Sequence, residues 1–134
     1  MKISRTAGYA LQATLQLAEA DPNTPIPCSK LAAKGGMPER FLLQILRNLV
    51  NAGILQSTRG VEGGYSLEKP PEQISLLDLI EAVEGPMAPE PPLTEGMSEE
   101  SLSQLSSALK GVTEMARQQL ADITVASLRP RPRK

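Results

Sequence analysis

The sequence is poor in the residues on which most enzyme and metal sites depend. Its 134 residues include no histidine, no tryptophan, one cysteine (Cys28), one phenylalanine and two tyrosines. A single cysteine excludes a disulfide within the chain, and the missing histidines remove the commonest general base and metal ligand. No run of about 18 apolar residues exists either. The sequence therefore predicts no enzyme, no metal or cofactor site and no membrane-spanning helix.

The N-terminal segment, residues 1–5, lacks the apolar stretch of a signal peptide. A lone cysteine is typical of proteins that stay in a reducing compartment. Both features predict a cytoplasmic protein. The length suits one domain, or a small domain with an appended helix, and the core must be built from aliphatic side chains.

Charge is distributed unevenly along the chain. Residues 1–69 contain eight Lys or Arg and five Asp or Glu, whereas residues 70–134 contain six and ten, so that the overall net charge is −1. A basic N-terminal half suits contact with nucleic acid, and an acidic C-terminal half suits a different role.

Residues 26–67 follow the order of a winged helix-turn-helix. The segment from Ile26 predicts the opening of a short helix, glycines precede Pro38 in a turn, and Glu39–Asn51 predicts a second, longer helix. The glycine-rich stretch 59–65 predicts the tip of a β-hairpin. In this fold the second helix enters the major groove of DNA, and the hairpin, called the wing, reaches the backbone or minor groove.

The second helix has two different faces. Its polar side carries Arg40, Gln44 and Arg47, which suit guanine and adenine edges, although a solvated surface helix would look similar. In the wing, Arg59 is placed for a narrow minor groove, although an ordinary hairpin would leave it solvated. The predicted apolar side of the helix consists of Leu42, Ile45, Leu46 and Leu49. The predicted DNA-binding residues are Lys2, Ser29, Lys30, Pro38, Arg40, Phe41, Gln44, Arg47, Arg59, Gly60, Val61, Gly63, Gly64 and Tyr65.

Three further helices are predicted outside this segment. Ser4 begins a first helix that runs to about Glu19, Ser75 begins a short one after the wing, and Ser98 begins a long one that ends near Ile123. The apolar stripe of the long helix predicts a dimer seam, although intramolecular packing would need the same spacing. The stripe consists of Leu102, Leu105, Leu109, Val112 and Ala116.

These elements predict a mainly α fold with a small β-hairpin. The expected division is a winged helix-turn-helix domain at 1–84, a proline-rich loop at 85–97, a dimerisation helix region at 98–128 and a basic disordered tail at 129–134.

Four segments, in this order, resemble the small winged-helix regulators grouped with IscR, NsrR and CymR, the BadM-type family. They are the opening at 2–11, the second helix at 36–46, the wing at 59–67 and the helix at 74–86. The resemblance implies a homodimer that binds palindromic promoter DNA, with first and last helices crossing between subunits.

The sequence also departs from this family. Many members hold an iron–sulfur cluster on three cysteines before the long helix, but residues 85–110 contain no cysteine here. Met87 and Met97 are weak ligands that suit loop packing better. Leu43 stands where cluster-bearing relatives often have an acid that reads bases. Cys28 is interpreted as a small, half-buried structural residue. The alternative is a sensor thiol, because a helix N-terminus can lower the pKa of a thiol.

The expected function is a homodimeric, sequence-specific transcription regulator, acting as a repressor without a cluster. Its expected partners are double-stranded DNA, a second copy and an unidentified small-molecule or protein effector. One alternative is a protein-interaction module that has lost DNA reading. The other is a small-molecule sensor that uses the cleft between the winged domain and the long helix.

Overall fold

The computed structural model describes residues 2–89 and 95–130. It confirms the predicted fold class: helices dominate, two strands form one antiparallel hairpin, and a long helix follows. The elements are α1 (Arg5–Glu19), α2 (Cys28–Gly35), α3 (Glu39–Asn51), β1 (Leu55–Thr58), β2 (Gly64–Leu67), a 3-10 turn (Pro71–Gln73), α4 (Leu76–Glu84), α5 (Glu99–Ala121) and α6 (Val125–Leu128). Parts of the predicted proline-rich loop, at 90–94, and of the predicted tail, at 131–134, lie outside the described residues.

Helix α1 is the centre of the domain. Ser4 caps it by accepting a hydrogen bond from the N–H of Ala7, as its sequence predicts. Ala7, Ala10 and Ala13 are buried, and their small side chains let neighbouring helices approach closely. Helix α1 contacts α2, α3, α4, α6 and β2.

One aliphatic core joins α1, α2, α3 and the hairpin. The predicted apolar side of α3 is buried in it, which confirms the two-faced interpretation of that helix. Burying each such side chain contributes about 1.5–3 kcal/mol relative to exposure. The largest fully buried side chains of this core are Leu31, Leu42, Ile45, Leu46, Leu49, Leu55, Ile74, Leu79 and Val125.

The start of α2 differs from the prediction. Helix α2 begins at Cys28, and Ile26 lies outside it in an antiparallel bridge with Tyr65 of β2. The N–H of each residue donates to the carbonyl of the other at 2.9 Å. Pro25 and Pro27 flank Ile26, and because the residue before a proline avoids the helical region, Ile26 stays extended.

The last described segment returns to the winged domain. The N–H of Val125 donates to Ile74 at 2.8 Å, and that of Leu76 donates to Ile123 at 2.7 Å. Leu120 and Val125 are both buried, with Val125 in the main core. The end of the predicted dimerisation region 98–128 thus contributes to the core of the winged domain, while the proposed domain boundaries remain a prediction.

Helices α4 and α5 are joined by an ion pair. Ser75, which the sequence predicts at the start of α4, forms a capping box with Asp78. Further along α4, Glu81 accepts two hydrogen bonds from Arg117 of α5, at 2.9 and 3.2 Å, and one from the N–H of Met87. The Arg117 hydrogen bond is the main reason why the pKa of Glu81 is lowered. Since a lowered pKa favours the folded state above the ordinary carboxylate pKa, this stabilisation is lost as pH falls through the lowered value.

Candidate nucleic-acid interface

The turn between α2 and α3 depends on a glycine. Gly36 has φ +63°, a left-handed conformation that ends α2, and the N–H of Met37 then donates to Ala32 at 2.9 Å. Met37 is buried beneath the turn, and Pro38 is the N-cap of α3. The chain therefore has the helix, turn and second helix that the sequence predicts.

The outward face of α3 carries positive charge that no acid within residues 2–89 and 95–130 pairs with. Arg40, Gln44 and Arg47 are exposed. Both salt bridges found among the described residues lie elsewhere, at Glu81–Arg117 and Glu72–Arg129. Gln44 donates to Asn48 at 3.4 Å, a contact that a base edge can replace at little cost. This face can offer hydrogen-bond donors to phosphates and bases.

The wing is a short hairpin bridged to the segment before α2. Strands β1 and β2 pair antiparallel, so that Leu55 lies opposite Leu67 and Thr58 lies opposite Gly64. Residues 59–63 form the tip of the hairpin. A side chain at Gly64 would clash with the backbone of Ile26, so the bridge to Ile26 requires glycine at this position. Val61 is fully exposed at the tip, and Arg59 is exposed beside it. The tip therefore projects from a base that is anchored to the domain.

A groove of about 260 Å³ separates α3 from the hairpin. Arg47 and Asn51 line it from α3, and Ser57 and Tyr65 line it from the hairpin. The structure thus brings together Arg47 and Tyr65, two predicted DNA-binding residues. Asn51 and Ser57 were not among those residues, although Asn51 lies on the polar face of α3 and Ser57 pairs with Tyr65 in the hairpin register.

Other predicted DNA-binding residues lie outside the groove between α3 and the hairpin. Lys2 lines a small cleft with Glu84 and Met87, beside α4, and Lys30 lines a groove with Gln16 and Glu19 of α1. Ser29 is exposed in the first turn of α2.

Phe41 is 47% exposed at the start of α3. Its ring meets that of Tyr9 of α1 edge to face, with centroids 6.0 Å apart. Since an edge-to-face pair is a favourable arrangement, Tyr9 holds the ring of Phe41 at the surface.

Helix α5 leaves much of its apolar stripe uncovered. Among its 23 residues only Leu120 is buried, whereas Val112 is 63% exposed and Met115 is 69% exposed. Leu102, Leu105, Leu109 and Ala116 are half-buried. An apolar stripe of this length, left open in a single chain, is typical of a surface that pairs with another molecule.

The pKa of the half-buried Cys28 thiol is raised, contrary to the alternative in which the helix N-terminus lowers it. Burial is the larger cause, and the negative charge of Glu39 is the smaller one. The Sγ atom also donates to the carbonyl of Glu39 at 3.6 Å. Because the thiolate is the nucleophile, a raised pKa disfavours reactivity at neutral pH.

Within residues 2–89 and 95–130, no three His, Cys, Asp or Glu side chains lie close enough together to hold a metal ion. Met87 packs against the cluster of Ala7, Leu77, Ile80 and Leu120, as a loop-packing residue would. In the same part of the chain, no helix is long and apolar enough to cross a membrane.

Comparison with known proteins identifies a family. The family model described as "Rrf2: Iron-dependent Transcriptional regulator" matches residues 3–131. A Mycobacterium tuberculosis protein provisionally named an HTH-type transcriptional regulator is 42% identical over 88 residues, which are 66% of this chain and 55% of that protein. The chain therefore spans a little over half the length of this curated relative.

Two solved structures are similar over nearly the whole chain. The structure of CymR, the global cysteine regulator of B. subtilis, has a TM-score of 0.74 and 27% identity, covering 96% of this chain and 95% of that one. The structure of T. potens IscR has a TM-score of 0.72 and 29% identity, covering 96% and 85%.

Proposed function

Because the chain belongs to the Rrf2 family of helix-turn-helix transcriptional regulators, we propose that it is a homodimeric repressor that binds a specific DNA sequence without an iron–sulfur cluster. The observation that carries the proposal is the joint placement of Arg47 on α3 and Tyr65 on the wing at one groove. A winged helix-turn-helix uses this pair of elements to hold DNA.

Charge supports the same conclusion. Arg40, Arg47 and Arg59 are exposed, and none of them forms a salt bridge with any described residue. Arginines without protein partners keep their donors available for phosphate oxygens and for guanine O6 and N7. A net charge of −1 does not oppose this, because the acids are concentrated in the C-terminal half.

Homodimer formation is supported by the exposed stripe of α5. DNA recognition by two copies would place two recognition helices on half-sites about one helical turn apart. A repressor role would follow where such a site overlaps a promoter, since a bound dimer then excludes polymerase.

Selection from random duplex DNA is expected to yield an inverted repeat. In mobility-shift titrations, affinity for this sequence should fall steeply with salt, because each phosphate contact releases a counterion. A scrambled duplex of the same composition is the control. Equal binding to both duplexes would remove sequence-specific recognition, and no binding at any salt would favour the protein-interaction module.

The residues of this chain do not fit the iron dependence that the family description names. An iron–sulfur cluster needs about four donors, usually thiolates. A dimer would provide two Cys28 thiols and no histidine. Each thiol is half-buried at the start of α2, with its pKa raised, whereas a cluster ligand must be deprotonated.

Protein purified without oxygen is therefore expected to carry no cluster. Its DNA affinity should not change after treatment with an iron chelator. Absorption near 400 nm, together with stoichiometric iron and sulfide, would overturn this part of the proposal. If such absorption appeared, Cys28→Ser would show whether the thiol is a ligand.

A further inference from the structure

A cavity of about 220 Å³ lies outside both the DNA interface and the α5 stripe. The end of α1, the loop after it, β2 and Arg129 surround it. Leu17, Leu67 and Pro71 contribute to walls that are mainly apolar. Two side chains of opposite charge, Asp21 and Arg129, line the same small space.

Arg129 provides the positive side of the cavity. Its nearest acid is Glu72, at 3.6 Å, in a pair whose side chains are 39% and 63% exposed. Such a pair is weak, since both charges remain largely hydrated. A guanidinium has five N–H donors in a planar fork, so Arg129 can also bind a carboxylate with two parallel hydrogen bonds.

Asp21 provides the negative charge of the cavity. Asp21 follows the C-terminus of α1, where the last carbonyls carry a partial negative charge. Its Oδ1 accepts from the N–H of Asn23 at 2.9 Å, and its Oδ2 accepts from Thr24 at 3.4 Å. These contacts orient the carboxylate, and each oxygen retains a lone pair. An ammonium group suits this carboxylate.

Ser66 adds a neutral hydrogen-bonding group. It is only 7% exposed on β2 and lines the cavity. Among the described residues, every side-chain polar atom that is sealed from solvent has a hydrogen-bond partner. The hydroxyl of Ser66 makes no hydrogen bond to those residues, so its remaining access is to the cavity. Water in the cavity can bind this hydroxyl, and a ligand carboxylate that enters the cavity can replace that water.

We propose that this cavity binds a small apolar α-amino acid. The carboxylate of the amino acid binds Arg129 and Ser66, and its ammonium group binds Asp21 and the C-terminus of α1. Its side chain packs against Leu17 and Leu67. At about 30 Å³ for each water, the cavity has room for roughly seven waters, so it suits a small ligand of about the size of valine. Drug-sized ligands need cavities of about 300–1,000 Å³ and are too large.

The test uses L-valine as the probe and the full chain without DNA. A concentration about 100 times the Kd is expected to raise Tm by on the order of 10 °C. Isobutylamine and isovalerate, which each lack one of the two charged groups, should raise it much less. Because DNA is absent, failure of the DNA-binding proposal would not affect this result.

Arg129→Gln is expected to abolish the valine effect, and Lys69→Gln, which removes an exposed charge outside the cavity, should retain it. Ser66→Ala should weaken valine binding about tenfold, as the loss of one hydrogen bond does. Calorimetric titration of each variant separates lost binding from altered stability. No response to valine, an equal response to isovalerate, or full binding by Arg129→Gln would each overturn the proposal.

Discussion

A chain carrying both Leu105→Glu and Leu109→Glu is expected to sediment as a monomer. Both leucines are half-buried on α5, next to the more exposed Val112. In a dimer seam the new carboxylates would lose water without gaining partners, at a cost of several kcal/mol. Sedimentation velocity at a concentration where the parent protein is dimeric measures this effect directly.

The affinity for the full DNA site should decrease when the dimer dissociates. Two linked recognition helices bind a full site about 10²–10⁴ times more tightly than one binds a half-site, because the second contact is intramolecular. Mobility shifts on full and half sites should therefore show the double variant losing its preference for the full site.

The matched control places the same two charges on the other side of the helix. Ser103→Glu with Ser107→Glu changes exposed residues of α5 outside the apolar stripe. This variant should remain dimeric and retain its DNA affinity. A dimeric Leu105→Glu, Leu109→Glu chain would instead mean that the stripe packs within its own subunit.

Substitutions on α3 are expected to change which bases the protein prefers. Arg40→Ala or Gln44→Ala should each cost roughly 1–3 kcal/mol on the best site, if the contact is bidentate to a base edge. The loss should be smaller on a site whose corresponding base pair is changed, since the contact is then already absent. Binding to a panel of single-base variants of the selected sequence measures both effects.

Arg59→Ala should act differently. If Arg59 enters a narrow minor groove, its loss weakens binding and flattens the preference for A/T-rich flanks without changing the half-site bases. Lys110→Ala is the control, because it removes an exposed positive charge from α5. Uniform losses from Arg40→Ala, Gln44→Ala and Arg59→Ala on every sequence would mean that these residues contact only phosphates.

Local patterns in the sequence were sufficient to predict most of the elements. Ser4, Ser75 and Ser98 mark helix starts because their hydroxyls satisfy free N–H groups of the first turn, and all three do so in the structure. The 3.6-residue spacing predicted the buried side of α3, and glycines predicted both the turn before it and the hairpin. These are properties of neighbouring residues, and they need no knowledge of the rest of the chain.

Contacts between distant segments were decided only by the tertiary structure. The bridge from Ile26 to Tyr65, the return of Val125 to the core and the cavity shared by Asp21 and Arg129 each join residues that are far apart in sequence. The pKa of Cys28 is another case, because its direction depends on how far folding buries the thiol and on where it places Glu39. Periodicity and capping specify each helix by itself, whereas burial and electrostatics depend on which elements meet, and one sequence pattern permits several such arrangements.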